Sequence, residues 1–171
     1  ITTAVNGTNT LTVNAAADFT VEVIGSAILD GNTLVVDSGA GTADALTVKN
    51  TNLATGTNQM GADDMNITAT DFETVTIDTG SYSTTTSQNA GAINVGTAND
   101  LVLTGSNGLT TKATTGIITA GTIDASAGGA LVMNVAAASG VTSITGSANA
   151  DTLRGDAAST ISGGAGNDTI V

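Results

Sequence analysis

The sequence predicts an all-β protein that winds as a parallel β-solenoid, a β-helix or β-roll, with short strands and turns rich in Gly and Asp. Short runs of Val, Ile, Leu and Thr recur along the 171 residues, and Gly, Asn or Asp separates most of them. Aromatic residues make up only 2% of the chain, which suits a thin stack of aliphatic coils better than a thick sandwich. Glycine-led rows of nearly equal length close the sequence. A β-sandwich is the alternative.

Strands with a two-residue alternation are predicted in the N-terminal part. Apolar and polar residues alternate in residues 9–15 and 19–25, which is typical of half-buried strands. Asp30-Gly31-Asn32 is a turn signal. Phe72 is expected to plug the corner of a coil, whereas the following Glu73 is left undecided. Further strands are predicted at residues 33–37, at Leu46 and Val48, from Ile67, and at Val75 and Ile77.

The stretch 79–89 has little apolar content and is predicted to be a loop or a join. It divides the chain into two expected parts, a β-rich module over residues 1–80 and a β-solenoid over residues 81–171. Gly, Asn or Asp lies between most strands of the second part, as expected for short coils. Its predicted strands are residues 92–95, 100–104, 116–120, 122–124, 130–135 and 141–145.

The final residues form three rows: GSANADTLR at 146–154, GDAASTIS at 155–162 and GGAGNDTIV at 163–171. The third row fits the nonapeptide G-G-x-G-x-D-x-U-x, where U is a large aliphatic residue. The first keeps the leading Gly, the Asp and the aliphatic residue, whereas the middle row is one residue short and lacks the Asp. Two rows make one coil, so the first and third rows should stack on the same side. Asp151 and Asp168 are thereby predicted to lie together.

The turns of these rows are predicted to bind calcium. Calcium takes about six to eight oxygen ligands in loose geometry and accepts backbone carbonyls as readily as carboxylates. Glycine permits dihedrals that a Cβ forbids, so a glycine-rich turn can aim its carbonyls inward. The aliphatic residues Leu153, Ile161 and Ile170 are expected to point into the coil. The predicted metal-binding residues are Asp151, Asp168, Gly146, Gly163, Gly164 and Gly166.

A second Gly/Asp turn lies in DSGAGTADALTV. Gly39 and Gly41 fall on glycine positions of the nonapeptide, and Asp44 falls on its Asp after a one-residue insertion. Asp37 is another carboxylate in this stretch. We predict a further metal site at Asp37, Gly39 and Asp44, with additional ligands from a neighbouring coil that the sequence does not identify.

One more candidate ligand is Asp100, in GTANDLVL. It follows Asn99 and precedes an aliphatic residue, as Asp168 does in the last row. Asp124, in GTIDASAGG at 121–129, can equally be a turn-former that bonds to its own backbone.

Composition limits the classes of function. Fifteen acidic residues against three basic ones give a net charge of −12, which makes nucleic acid and anionic membranes poor partners and favours a cation. The chain has no Cys and no His, and no motif for a nucleophile or a phosphate loop, so catalysis is not expected. No apolar run is long enough for a membrane span. A flat Thr array of the ice-binding kind is not favoured, because the Thr-x-Thr pairs show no constant period.

The terminal rows resemble the repeats of RTX-type calcium-binding proteins, which type I systems export from Gram-negative bacteria. The stretch 37–78 combines a Gly/Asp turn, a Leu-x-Val strand, a polar stretch and Phe-Glu-Thr-Val-x-Ile. This combination is similar to a module of RTX-type bacterial surface-layer proteins.

The resemblance implies a secreted structural protein at the bacterial cell surface, with calcium ions stabilising both its fold and a two-dimensional lattice of copies. Since Ile1 is not an initiator, we expect the sequence to be a segment whose targeting signals lie elsewhere. The alternatives are a calcium-binding stalk of a large RTX adhesin, or the non-catalytic RTX roll of an exported enzyme.

Overall fold

The computed structural model describes residues 10–15, 18–23, 32–39, 41–50, 65–80 and 88–171. All regular elements in these residues are β-strands, so the predicted all-β class is confirmed. No helix of membrane-spanning length and hydropathy occurs among them. The strands are β1 Thr10–Asn14, β2 Phe19–Val23, β3 Thr33–Asp37, β4 Ala45–Asn50, β5 Met65–Thr70, β6 Thr74–Asp78, β7 Gln88–Asn94, β8 Asp100–Gly105, β9 Leu109–Thr111, β10 Ile118–Thr119, β11 Thr122–Gly128, β12 Leu131–Val132, β13 Ser143–Thr145, β14 Thr152–Leu153, β15 Thr160–Ser162 and β16 Thr169–Ile170.

Successive coils add one strand to each of two sheets. The first sheet has the order β1-β3-β5-β7-β9-β12-β14-β16, with β10 also beside β7. The second sheet has the order β15-β13-β11-β8-β6-β4-β2. Every described strand pair is parallel, for example β1 with β3 and β2 with β4. The parallel solenoid is therefore confirmed, and the antiparallel pairing of a β-sandwich is not found in the described residues.

Coils of the first sheet are longest from β3 to β5 and shortest at the C-terminal end, whereas the first coil, from Leu11 to Leu34, is intermediate in length. Leu34 pairs with Ile67, 33 residues later, whereas Thr152 pairs with Thr169, 17 residues later. Both sheets run on across residue 80, because β5 pairs with β7 and β6 with β8. The division into two modules at this point stays a prediction.

Aliphatic columns between the two sheets form the core. In the first sheet Leu34, Ile67, Ile93 and Ile118 are paired in register and at most 1% exposed. Removal of these aliphatic side chains from water is the main favourable contribution to folding. The second sheet supplies the opposite column: Leu46, Val75, Leu101, Ile123 and Ile144.

Phe72 is fully buried in the turn between β5 and β6, which confirms it as a plug of the core. Of the aliphatic residues predicted to fill the last coils, Leu153 is fully buried and Ile161 packs against the core. Ile170 is 54% exposed, because β16 is the last described strand of its sheet and has a neighbour only in β14.

Most predicted strands appear at their expected places, and residues 33–37 match β3. Strand β9 was not predicted, since three residues between turns are too few for an alternation to stand out. The predicted strand at 116–120 is in fact the short β10, which continues the line of β9 after an insertion. In the predicted loop at 79–89, Gln88 and Asn89 belong to β7, and residues 81–87 lie outside the described residues. Asp30 and Gly31 of the predicted turn also lie outside them.

Candidate calcium site

Asp151 and Asp168 each stand directly before a strand of the first sheet. Their strands, β14 and β16, pair in register, with Thr152 opposite Thr169, so the predicted stacking of the first and third rows is confirmed. The two turns are in direct contact, because Asp151 N donates a hydrogen bond of 3.1 Å to Asp168 Oδ1.

The carboxylate of Asp151 in turn accepts a hydrogen bond from a main-chain nitrogen of the preceding coil. Its Oδ1 accepts a hydrogen bond from Leu131 N at 2.5 Å, and its Oδ2 accepts one from Ser147 N at 2.7 Å. The Ser147 hydroxyl lies 3.2 Å from both carboxylate oxygens. Each Asp therefore fixes the start of the strand below it, so the carboxylates hold successive coils together.

Asp151 is a buried charge without a counter-charge. Its side chain is 2% exposed, and no ion pair to a basic residue is found for it in the described ranges. The nearby base Arg154 directs its Nε to the Met133 carbonyl at 3.0 Å. Burying a carboxylate is costly unless hydrogen bonds and an opposite charge compensate for the lost hydration. The hydrogen bonds that compensate the Asp151 carboxylate come from Leu131 N, Ser147 N and the Ser147 hydroxyl.

Glycine is required at the start of each Asp-containing row because the carboxylate folds back over it. A Cβ on Gly163 would collide with Asp168 Oδ2, and a Cβ on Gly146 would lie 2.7 Å from Asp151 Oδ2 and collide with the Gly163 carbonyl. Gly164 and Gly166 have φ angles of 88° and 114°, the region that favours glycine. These positions explain why the row begins with Gly-Gly-x-Gly.

The donors at this edge fit calcium. They are two carboxylates and main-chain carbonyls, the oxygen ligands that calcium accepts in flexible geometry. A Cβ on Gly164 would collide with the Ser147 carbonyl, which shows how closely the two turns approach. In the part of the chain that the structure describes, no three acidic, His or Cys side chains gather, so an ion here would take its remaining ligands from carbonyls and water. Bound calcium would supply the missing positive charge between the turns.

Asp37, Gly39 and Asp44 lie at the opposite edge of the solenoid, where the chain passes from β3 to β4. Asp37 Oδ1 accepts a hydrogen bond from Gly39 N at 3.0 Å, and Gly39 has a φ of 76°. The Asp44 carboxylate folds over Gly41, as in the terminal rows. Glu73, whose role the sequence left undecided, connects β6 to this turn, because its Oε2 accepts a hydrogen bond from Asp44 N at 2.6 Å.

Asp100 lies at the start of β8 on this same opposite edge. It is exposed, and its Oδ1 accepts a hydrogen bond from the Thr122 hydroxyl at 2.7 Å. The structure thus brings Asp151 and Asp168 together and places Asp37, Asp44 and Asp100 elsewhere. Metal binding at those three residues stays a prediction.

Asp156, in the row that lacks the expected Asp, was missed by the sequence prediction. Its carboxylate accepts hydrogen bonds from Ala158 N at 2.8 Å and from Gly140 N in the preceding coil at 3.0 Å. These two bonds hold the pKa of Asp156 below its usual value. Ser159, which also bonds to Asp156, donates to the Val141 carbonyl at 2.7 Å. Asp-x-x-Ser is a local turn signal, but Asp156 is the second residue of its row, whereas the nonapeptide has its Asp at the sixth position.

Comparison with known proteins gives no match to a family model, to a curated protein or to a solved structure.

Proposed function

We propose that this chain is a segment of a structural protein of a calcium-dependent bacterial surface layer, exported by type I secretion. Calcium ions stabilise the solenoid and support a two-dimensional lattice of copies at the cell surface. The proposed role is structural and not catalytic. The resemblance of the terminal rows to RTX repeats supports the family, and the parallel solenoid is the fold that such rows require.

The observation that carries the calcium part is the burial of Asp151 beneath Asp168 without a basic partner. Asp151 is 2% exposed, and its main-chain nitrogen lies 3.1 Å from a carboxylate oxygen of Asp168. Two carboxylates in adjacent turns repel each other unless a cation lies near both. A divalent cation removes this repulsion and adds its binding free energy to folding.

Repulsion between negative charges also acts across the whole chain, which has a net charge of −12. Repulsion among acidic residues opposes compaction where free calcium is low, and calcium outside the cell relieves it. Because the ion binds only the folded chain, its concentration controls the folded fraction. Export in an unfolded state and folding outside the cell then depend on one variable, the calcium concentration.

The proposal is tested by adding and removing calcium. Circular dichroism should show a loss of β-structure when calcium is chelated and its return when calcium is restored, and an unchanged spectrum would contradict calcium-coupled folding. Electron microscopy of the calcium-loaded protein should show two-dimensional sheets. Persistent monomers that bind calcium would favour the stalk of an RTX adhesin instead.

A further inference from the structure

The outer face of the first sheet carries almost no charge. Among its described strand positions that point outward, only Asp37 at the end of β3 is charged, and Lys112 and Arg154 directly follow β9 and β14 at its border. Thr, Asn, Val and Ala occupy the others, and the parallel register aligns them in columns. One column consists of Thr12, Val35, Thr68, Asn94 and Thr119. We call the outward side of this sheet the neutral face.

The second sheet is different. Charged residues stand at outward positions of most of its longer strands, and the remaining described acids lie mainly in the turns. Two copies of a chain with a net charge of −12 repel each other in most orientations. The neutral face is the broad described surface on which this repulsion is weakest. The charged outward positions of the second sheet are Glu22, Lys49, Asp78, Asp100 and Asp124.

Ile117 lies within the neutral face and is 41% exposed. Its carbonyl accepts a hydrogen bond from Ile93 N at 3.0 Å, so Ile117 continues the line of β10 beside β7. The next residue, Ile118, is fully buried, and the alternation of a strand therefore turns Ile117 outward. The other large exposed apolar residues in the described ranges, Ile170 and Val171, are at the last strand. A partner that covers the neutral face would therefore bury the apolar side chain of Ile117, which favours association.

We propose that the neutral face docks against the neutral face of a second copy of this chain. This inference rests on the proposed self-assembling role and specifies which surface performs it. Seven steps of about 4.8 Å between strands give the face a height of about 34 Å, and short strands give it a width of roughly 15 Å. Such a contact buries on the order of 1,000 Å² in total, the lower limit for a specific interface. A weak contact of this size becomes effective when a lattice repeats it many times.

Single cysteines test the contact directly, because the chain has no Cys of its own. Thr68→Cys places a thiol on the neutral face, and Thr76→Cys places one on the outer face of the second sheet. Both positions are half-buried threonines in the middle of a strand. With calcium present, a short bis-maleimide should give covalent dimers of Thr68→Cys and not of Thr76→Cys. Equal crosslinking of the two variants would overturn the inference.

A second pair of variants measures assembly without a crosslinker. Ile117→Glu should lose self-association in sedimentation experiments, whereas Val102→Glu, outward on β8 in the second sheet, should assemble as the wild type does. Circular dichroism in calcium should be the same for both variants. Assembly of Ile117→Glu at the wild-type level would overturn the inference and leave the surface-layer role intact.

Two other outcomes also count against the inference. Calcium-loaded wild type that stays monomeric would overturn both the docking and the surface-layer role. A soluble neutral polysaccharide that shields Thr68→Cys from maleimide, while the protein stays monomeric, would show that the neutral face binds glycan and would overturn the inference.

Discussion

Replacing Asp168 by Asn separates the two roles of its carboxylate in the terminal turn. Oδ1 accepts the hydrogen bond from Asp151 N at 3.1 Å, and the amide oxygen of Asn can still accept it. The negative charge is lost, and with it the anionic ligand that Asp168 would provide to the proposed calcium ion. We therefore expect Asp168→Asn to lose calcium-dependent stability and to keep the internal hydrogen bond.

The expected change in unfolding free energy follows from the coupling between calcium binding and folding. An ion that binds only the folded chain adds about 1.4 kcal/mol to the unfolding free energy for each tenfold rise in calcium above its Kd. Loss of one ion lowers the slope of unfolding free energy against the logarithm of calcium concentration by about that amount. Loss of a hydrogen bond alone would instead subtract a constant of about 1–2 kcal/mol at every calcium concentration.

The slopes can be measured by urea unfolding, followed by circular dichroism, over a series of buffered calcium concentrations. Asp124→Asn is the matched control, since Asp124 is exposed and its carboxylate accepts a hydrogen bond from Ser126 N at 2.9 Å, far from the terminal turns in sequence. Its slope should equal that of the wild type. Parallel lines for the wild type and Asp168→Asn would refute the assignment of calcium to this turn.

Substitutions at three other positions test the fold. Phe72→Ala empties a fully buried site and should lower the unfolding free energy by about 3–5 kcal/mol, measured by urea unfolding; a loss below about 1 kcal/mol would contradict its role as a plug. Asp71 has a φ of 60°, so Asp71→Val should cost about 1–2 kcal/mol and Asp71→Asn much less, and equal stabilities would contradict this. Since the pKa of Asp156 is lowered in the folded state, its carboxylate stabilises the fold above about pH 4, and this contribution is lost as the pH falls further. Asp156→Asn should therefore be less sensitive to acid than the wild type in unfolding between about pH 3 and 5, and identical pH profiles would show that Asp156 is not involved.

The strands and the stacking of the terminal rows could be predicted because both depend on residues close in sequence. The alternation in β3 is local, and the lengths of two successive rows determine how Asp168 returns above Asp151. The contact made by Glu73 could not be predicted in this way. Its hydrogen bond to Asp44 N joins residues 29 apart, and the sequence does not show which residues lie above one another when coils differ in length.

The threonine positions also show that the sequence alone does not reveal which residues lie above one another in the coils. The Thr-x-Thr pairs have no constant period in the sequence, yet outward residues Thr74, Thr122, Ser143 and Thr160 fall in one column of the second sheet, with Asp100 between the first two. The buried aliphatic residues set the register of the strands, and turns of unequal length absorb the difference. Residues can therefore align in a column on this surface without a constant spacing in the sequence.

The difference in coil length gives folding a direction. Closing a loop costs about 0.6 kcal/mol more in chain entropy for each doubling of its length, and the coil from Leu34 to Ile67 is nearly twice as long as that from Thr152 to Thr169. Nucleation is therefore easiest at the C-terminal end, where the shortest loops close and where Asp151 and Asp168 meet. Each coil formed there offers a strand edge to the coil before it, and we therefore expect folding to start at the C-terminal end and to propagate towards the N-terminus.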